Sequence, residues 1–355
     1  MGITWRQALA WRLERQYLGS SRAGSVDDVV RRLSTVPAWS GDAGLAIALR
    51  RRRPAPGDLD RALAEGRLLK TFSFRGSMQL MAPDTAGDFL ALRGAGRQWE
   101  LRSWREFYRL EPADWPGFRE RVRAALADGP LTQPELAAVV SADPRYAHLA
   151  DALNHRSVTL IKPLAWQGDL SLAPSRDGRL TFQAPASAPG WTGIPSLDDA
   201  GRRAVIAYFS AYGPAGRDRV HSWLGDGLSA GRKRIDGWLD ALGDRLTELD
   251  VDGDRVFCLA EHADEIAATE PASSVRLLPG LDQWVLGPGT DEDRVVPSAQ
   301  RTPVTRGANL AVVDGRVSGA WTQASGAIEV TWFRGVEPPT GRALAEEIAR
   351  LGGLD

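Results

Sequence analysis

The 355-residue chain has one cysteine, Cys258, so an intrachain disulfide is excluded and stability must come from a packed core. That usage fits a reducing compartment, and a cytoplasmic protein is expected. Lysine is almost missing: Lys70, Lys162 and Lys233 are the only three, and arginine carries nearly all the positive charge. A guanidinium fork suits phosphate contacts, although a GC-rich coding sequence would produce the same bias. No apolar run approaches the ~20 residues of a membrane span, so no membrane partner is expected. The four histidines, His148, His155, His221 and His262, form no metal-ligand spacing with Cys258. Asp291-Glu292-Asp293 lacks the spacing of a calcium loop, and Gly94-Ala95-Gly96 lacks the Lys-Ser/Thr of a phosphate loop. No metal and no cofactor are therefore expected.

A net charge of -1 supplies no global field for a polyanion. A nucleic-acid partner would need a local basic face, and two segments offer one. Arg50 to Arg53 is a four-arginine run before Pro54. Arg93, Arg97, Arg102, Arg105 and Arg109 sit among Trp99, Trp104, Phe107 and Tyr108. Arginines between aromatics are the composition of a nucleic-acid groove, although aromatics at helical spacing also serve as core.

A repeated order of helix, helix and hairpin organises most of the chain. Thr132, Pro134 and Glu135 mark a capped helix start, a second helix is expected over 145–156, and an Asp177-Gly178 turn closes a hairpin. The order recurs with helices at 217–224 and 230–242 and strands at 246–251 and 255–259 around Asp252-Gly253. A further copy has helices at 26–33, 42–51 and 58–65, then strands at 68–74 and 77–81 around Arg75-Gly76. Two short helices and a two-stranded wing outline a winged helix. A helix over 1–17 precedes these units, and 184–195 reads as a linker. Beyond them, strands at 309–313, 316–321 and 328–333 with a closing helix at 341–351 read as a small β-rich domain. The expectation is an α+β protein with three tandem winged-helix units and a C-terminal β-rich domain. Its divisions are 1–110, 111–190, 196–265 and 270–355.

Specific segments carry a resemblance. Leu277-Leu278-Pro279-Gly280-Leu281-Asp282, continuing to Leu286-Gly287, and Asp314-Gly315-Arg316-Val317-Ser318-Gly319-Ala320-Trp321 are two of them. Arg75-Gly76-Ser77-Met78-Gln79-Leu80 and Pro163-Leu164-Ala165-Trp166-Gln167-Gly168 are two more. They resemble the bacterial winged-helix family of the AlkZ-type (azinomycin-resistance) DNA glycosylases, nearly end to end. The resemblance implies three tandem winged helices with a β-rich appendage, a double-stranded DNA partner, plain, alkylated or cross-linked, and action as a monomer. It also exposes a departure. Where that family carries Gln-hydrophobic-Gln, this chain has Pro37-Ala38-Trp39, and the family's wing histidine is Gln79. Glutamine orients water through its carbonyl and amide; proline has no polar side-chain atom and tryptophan only an N–H donor. Either the chemistry has moved to other residues or the scaffold binds without cutting.

The candidates follow from this. Trp39 would stack on a base or wedge a step, or else pack after a proline turn. Arg75, at a wing tip, would meet phosphate or the minor groove, or be a solvated turn residue. Arg50, Arg51, Arg102 and Arg105 would bind phosphate, or form solvated helix surfaces. Gln79 and Asp282 are the catalytic candidates. The competing roles are a solvent-facing strand residue for the first and a turn cap for the second. Asp84 is expected as a helix N-cap. The readings that remain are a DNA-binding relative of the glycosylases, an active glycosylase with a variant site, and a scaffold that binds small molecules or proteins.

Overall fold

The computed structural model describes residues 2–39, 41–271 and 273–354; Met1, Ser40, Ala272 and Asp355 lie outside it. Helices and strands are mixed along the whole length, and three sheets organise them. Val26–Leu33 is a helix because Ser25 and Asp28 cap each other's backbone N–H groups while Val26, Val29, Val30 and Leu33 share one buried face. Thr132 opens Gln133–Ser141 in the same way, its N–H donating to Glu135 Oε2 at 2.8 Å. The hairpins at Leu69–Phe72/Met78–Met81, Ser171–Arg176/Arg179–Gln183, Leu246–Val251/Asp254–Leu259 and Asn309–Val313/Arg316–Ala324 all form.

The first two hairpins do not stand apart as free wings. Lys70 pairs with Leu172, so both join one six-stranded antiparallel sheet, edged by Val36–Pro37 on one side and Leu131–Thr132 on the other. Open hydrogen-bonding edges seek partners, and here each wing is the other's partner. The 246–259 hairpin remains a two-stranded sheet, and Val275–Leu278, Asn309–Val313, Arg316–Ala324 and Ala327–Trp332 make the third.

The chain start packs far from where its sequence neighbours suggest. Ile3 bridges Val251, and the Trp5 N–H donates to Asp252 at 2.7 Å. Leu9 and Leu13 of the Trp5–Arg15 helix enter the C-terminal core with Trp284, Val312 and Trp321. Arg12, on that helix, is buried and donates to the carbonyls of Gly213 and Pro214. Asp84 does not cap its helix: Ala82 holds that place, and Asp84 pairs with Arg31 from the first turn at 3.1 Å.

The longest helix, Leu197–Tyr212, crosses the middle of the molecule. Around Tyr208 and Tyr212 gather Phe74, Phe89 and Trp223, with Trp223 ring centroids 4.9–5.6 Å from the other four. Burying one such ring removes roughly 150–250 Å² from water, an upper bound of about 4–6 kcal/mol. This aromatic core backs the cleft described next.

Candidate functional site

Four segments meet at a cleft of about 370 Å³: the Val36–Pro37 strand with Trp39, the 72–81 hairpin, the turn of helix around Trp223, and 283–291. The second and third of these lock together backbone to backbone. The Arg75 N–H donates to the Gly227 carbonyl at 2.7 Å, with Arg75 in the left-handed region at φ 52°. A non-glycine residue there is strained by roughly 1–3 kcal/mol, and such strain concentrates where a tip must be aimed. Opposite it, His221–Asp226 is a π-helical turn, a rare widening that recurs at functional sites.

Strand pairing places Gln79 in the cleft wall. Pro37 lies opposite Gln79 in the register, and Thr71 flanks it on the other side. Gln79 is only 3 % exposed, so its amide must be satisfied internally. Its Oε1 accepts from Thr35 Oγ1 at 2.9 Å, and its Nε2 donates to Ser77 Oγ at 2.8 Å. Ser77 Oγ in turn donates to the Phe74 carbonyl at 2.8 Å. The result is a held amide, not the solvent-facing strand residue weighed from sequence.

Trp39 and Arg75 complete the rim. Trp39 is 49 % exposed, one of the few large apolar side chains left open, and Arg75 is exposed with no carboxylate partner among the described residues. Beside the Arg75-Gly76 turn stand two more cations. A methyl group built on Gly76 would lie 3.8 Å from Arg93 Nη2 and 3.9 Å from Lys162 Nζ. Neither has an acidic partner among the described residues: Arg93 donates to Ser229 Oγ and stacks over Trp166, and Lys162 sits over Phe72. Burial lowers the pKa of both, and Arg93 lowers that of Lys162 further. Cations held this close without a counter-charge repel each other, and an anion placed between them removes that cost.

The remaining sequence candidates divide. Arg50 and Asp282 are fully buried against each other, bidentate at 2.8 and 2.7 Å. Arg50 therefore has no surface to offer a phosphate, and Asp282 does not open to the cleft. Asp282 instead accepts from the Trp284 N–H at 2.7 Å and caps the Gln283–Leu286 turn. Arg51 is turned inward onto Asp58. Arg102 and Arg105 are on the surface, paired with Glu106 at 2.6 Å and Glu111 at 3.1 Å, and neither lines the cleft. Surface pairs of this kind hold by about 0–1 kcal/mol, little enough to be exchanged for phosphate. Arg50 therefore cannot share a phosphate-binding surface with Arg75 and Arg105, because it is spent inside the protein.

Sequence reasoning missed Gln283 and Asp291, which line the same cleft. Gln283 follows Asp282 and was hidden behind it; Asp291 was read only as part of an acidic run. Asp291 accepts from Arg219 at 2.8 Å. Its partial burial would raise its pKa, but the Arg219 hydrogen bond and charge reverse this and lower it, so it stays ionised. Gly289, at φ 98°, clears the way: a Cβ there would come within 2.6 Å of the Asp291 carboxylate. No cluster suited to a metal ion occurs among the described residues. Among the described residues, no helix is long and apolar enough to cross a membrane.

A cleft of this size with an exposed indole, unpaired cations, two held amides and one carboxylate can accept a flipped nucleobase next to a phosphate backbone. Comparison with known proteins gives the family. A profile of the AlkZ-like DNA glycosylases matches residues 30–354. The interstrand DNA cross-link repair glycosylase of Streptomyces sahachiroi is 37% identical over 365 positions, covering 100% of this chain and 98% of the relative. The solved structure of Streptomyces sahachiroi DNA glycosylase AlkZ superposes with a TM-score of 0.92 at 36% identity, covering 100% of this chain and 98% of that one. The chain belongs to the AlkZ-like DNA glycosylase family.

Proposed function

We propose that this protein binds duplex DNA, alkylated or cross-linked, and receives the damaged base in the cleft between Trp39 and Gln79. One observation carries the reading: Arg75 lines the cleft mouth, and Arg93 and Lys162 stand beside the adjoining Gly76, with no carboxylate paired to any of the three among the described residues. Three unneutralised cations next to a base-sized opening fit a phosphate backbone feeding a nucleotide into a pocket. In this reading the helix–helix–hairpin modules act as winged-helix units and the protein works as a cytoplasmic monomer. The 37% identical relative is named for repair of interstrand cross-links, which supports the same substrate class.

The test is fluorescence anisotropy with plain and alkylated duplexes across a salt series. Binding should weaken with a slope of several ion equivalents and should favour the alkylated duplex. Salt-independent or absent binding would leave the scaffold reading in its place. A second reading, recognition without cleavage, draws on Pro37 and Trp39, neither of which offers an acceptor to an attacking water.

A further inference from the structure

The loss of the two family glutamines leaves hydrolysis without its expected groups, yet the cleft is not short of polar atoms. Resting on the DNA-lesion reading above, we propose that Gln283 and Asp291 carry the hydrolytic step: Gln283 holds the attacking water by its amide carbonyl, and Asp291 supports the sugar cation.

The orientation of Gln283 follows from counting protons. Tyr212 is buried at the end of the long helix, and burial lifts its pKa well above the ordinary value, so its hydroxyl keeps its proton. That proton goes to the Leu33 carbonyl, 2.6 Å away, an orphan acceptor at the last turn of its helix. As placed, Gln283 Oε1 lies 3.2 Å from the same hydroxyl oxygen. A hydroxyl with its one proton committed is an acceptor toward its next neighbour. A half-turn of the Gln283 amide about its last bond meets this need: it sets the NH₂ on Tyr212 and leaves the carbonyl as the free end. Gln283 lines the cleft, and its side chain makes no other hydrogen bond among the described residues.

The surroundings hold this amide still. Asp282 fixes the backbone N–H of Trp284, one residue after it, and Arg50 fixes Asp282. Tyr212 approaches closely because residue 287 is glycine: a Cβ there would overlap the Tyr212 ring at 2.0 Å. Gln79, by contrast, has its carbonyl and its NH₂ both engaged by neighbours and serves as wall.

Asp291 is the one carboxylate among the described residues that line the cleft, and Arg219 keeps it ionised and aimed. Cleavage of an N-glycosidic bond builds positive charge on the sugar, and a fixed carboxylate lowers the energy of that state. For an N-alkylated purine the bond from C1′ to the base nitrogen breaks with both electrons going to the base. They cancel the positive charge that alkylation placed there. The water oxygen bonds to C1′, and its surplus proton leaves to solvent in the open cleft.

The experiment uses a duplex carrying one N7-methylguanine, with free base measured by chromatography under single-turnover conditions and affinity measured in parallel. The wild-type protein should release the base. Gln283→Leu and Asp291→Asn should each slow release by about 100-fold or more, with affinity for the duplex within about twofold. Gln283→Glu, which keeps an acceptor oxygen, should recover part of the rate. Wild-type protein that binds the duplex but releases nothing overturns this proposal and leaves the DNA-binding reading intact; failure to bind sinks both. If Gln283→Leu does not fold, Asp291→Asn decides alone, since its side chain is half exposed and asparagine still accepts from Arg219. Wild-type release by that variant overturns the assignment.

Discussion

Arg50 and Asp282, 232 residues apart, close on each other with two hydrogen bonds of 2.7 and 2.8 Å and no exposed side-chain surface. Arg50 also donates to the Ala46 carbonyl, and Asp282 also caps the turn that begins at Gln283. The pair therefore ties the helix after Trp39 to the strand-and-turn that carries Gln283. Its role is to keep two walls of the cleft in register.

Removing one partner should be costly, because it strands a buried charge. Asp282→Asn or Arg50→Met is expected to lower stability by about 3–5 kcal/mol, read from urea unfolding. The double replacement Arg50→Met/Asp282→Leu should cost less than the sum of the two singles. Single-variant losses below about 1 kcal/mol would show that the tie carries no load.

The cations beside the Arg75-Gly76 turn make a separate prediction. Arg75→Ala and Lys162→Ala should each weaken binding to all duplex sequences alike and reduce the salt slope by about 1. Arg102→Ala and Arg105→Ala, whose partners are already glutamates, should change it less. An unchanged slope for Lys162→Ala would remove it from the phosphate path.

Trp39 is exposed and touches the cleft from its rim. Trp39→Ala should leave stability within about 0.5 kcal/mol, since nothing buried is lost. It should weaken binding of a duplex with a flipped or damaged base by about 1–3 kcal/mol, the usual contribution of one stacked base. Equal affinity of variant and wild type would return Trp39 to a packing role.

Cys258 is fully buried, and burial pushes its thiol from 9.0 up to about 11. The folded state then holds this proton more tightly than the unfolded chain. The associated stability is whole below the ordinary thiol value and is lost as pH rises from there through about 11. At pH 8 the native protein should resist a thiol reagent such as dithionitrobenzoate and react fully in urea. Rapid labelling of the native state would contradict the burial argument.

Much of the local structure was legible in the sequence. The Ser25/Asp28 and Thr132/Glu135 caps announce their helices, and Asp252-Gly253 and Asp314-Gly315 announce their hairpins, because these signals act over a few residues. Trp39, Arg75 and Gln79 were singled out from a resemblance and do share one cleft. The pairing of two hairpins through Lys70 and Leu172 was not legible, since each strand edge looks alike to any partner.

What the sequence determined by itself was the order of elements, their turns and the family. Only the tertiary structure decided which polar residue does what. Arg50 and Arg75 are the same residue type, yet one is sealed against Asp282 and the other stands open at its hairpin turn. Asp282 and Asp291 divide in the same way, one caged and one facing the cleft. The physical reason is that solvent exposure and charge pairing are settled by residues hundreds of positions away, which no local pattern records.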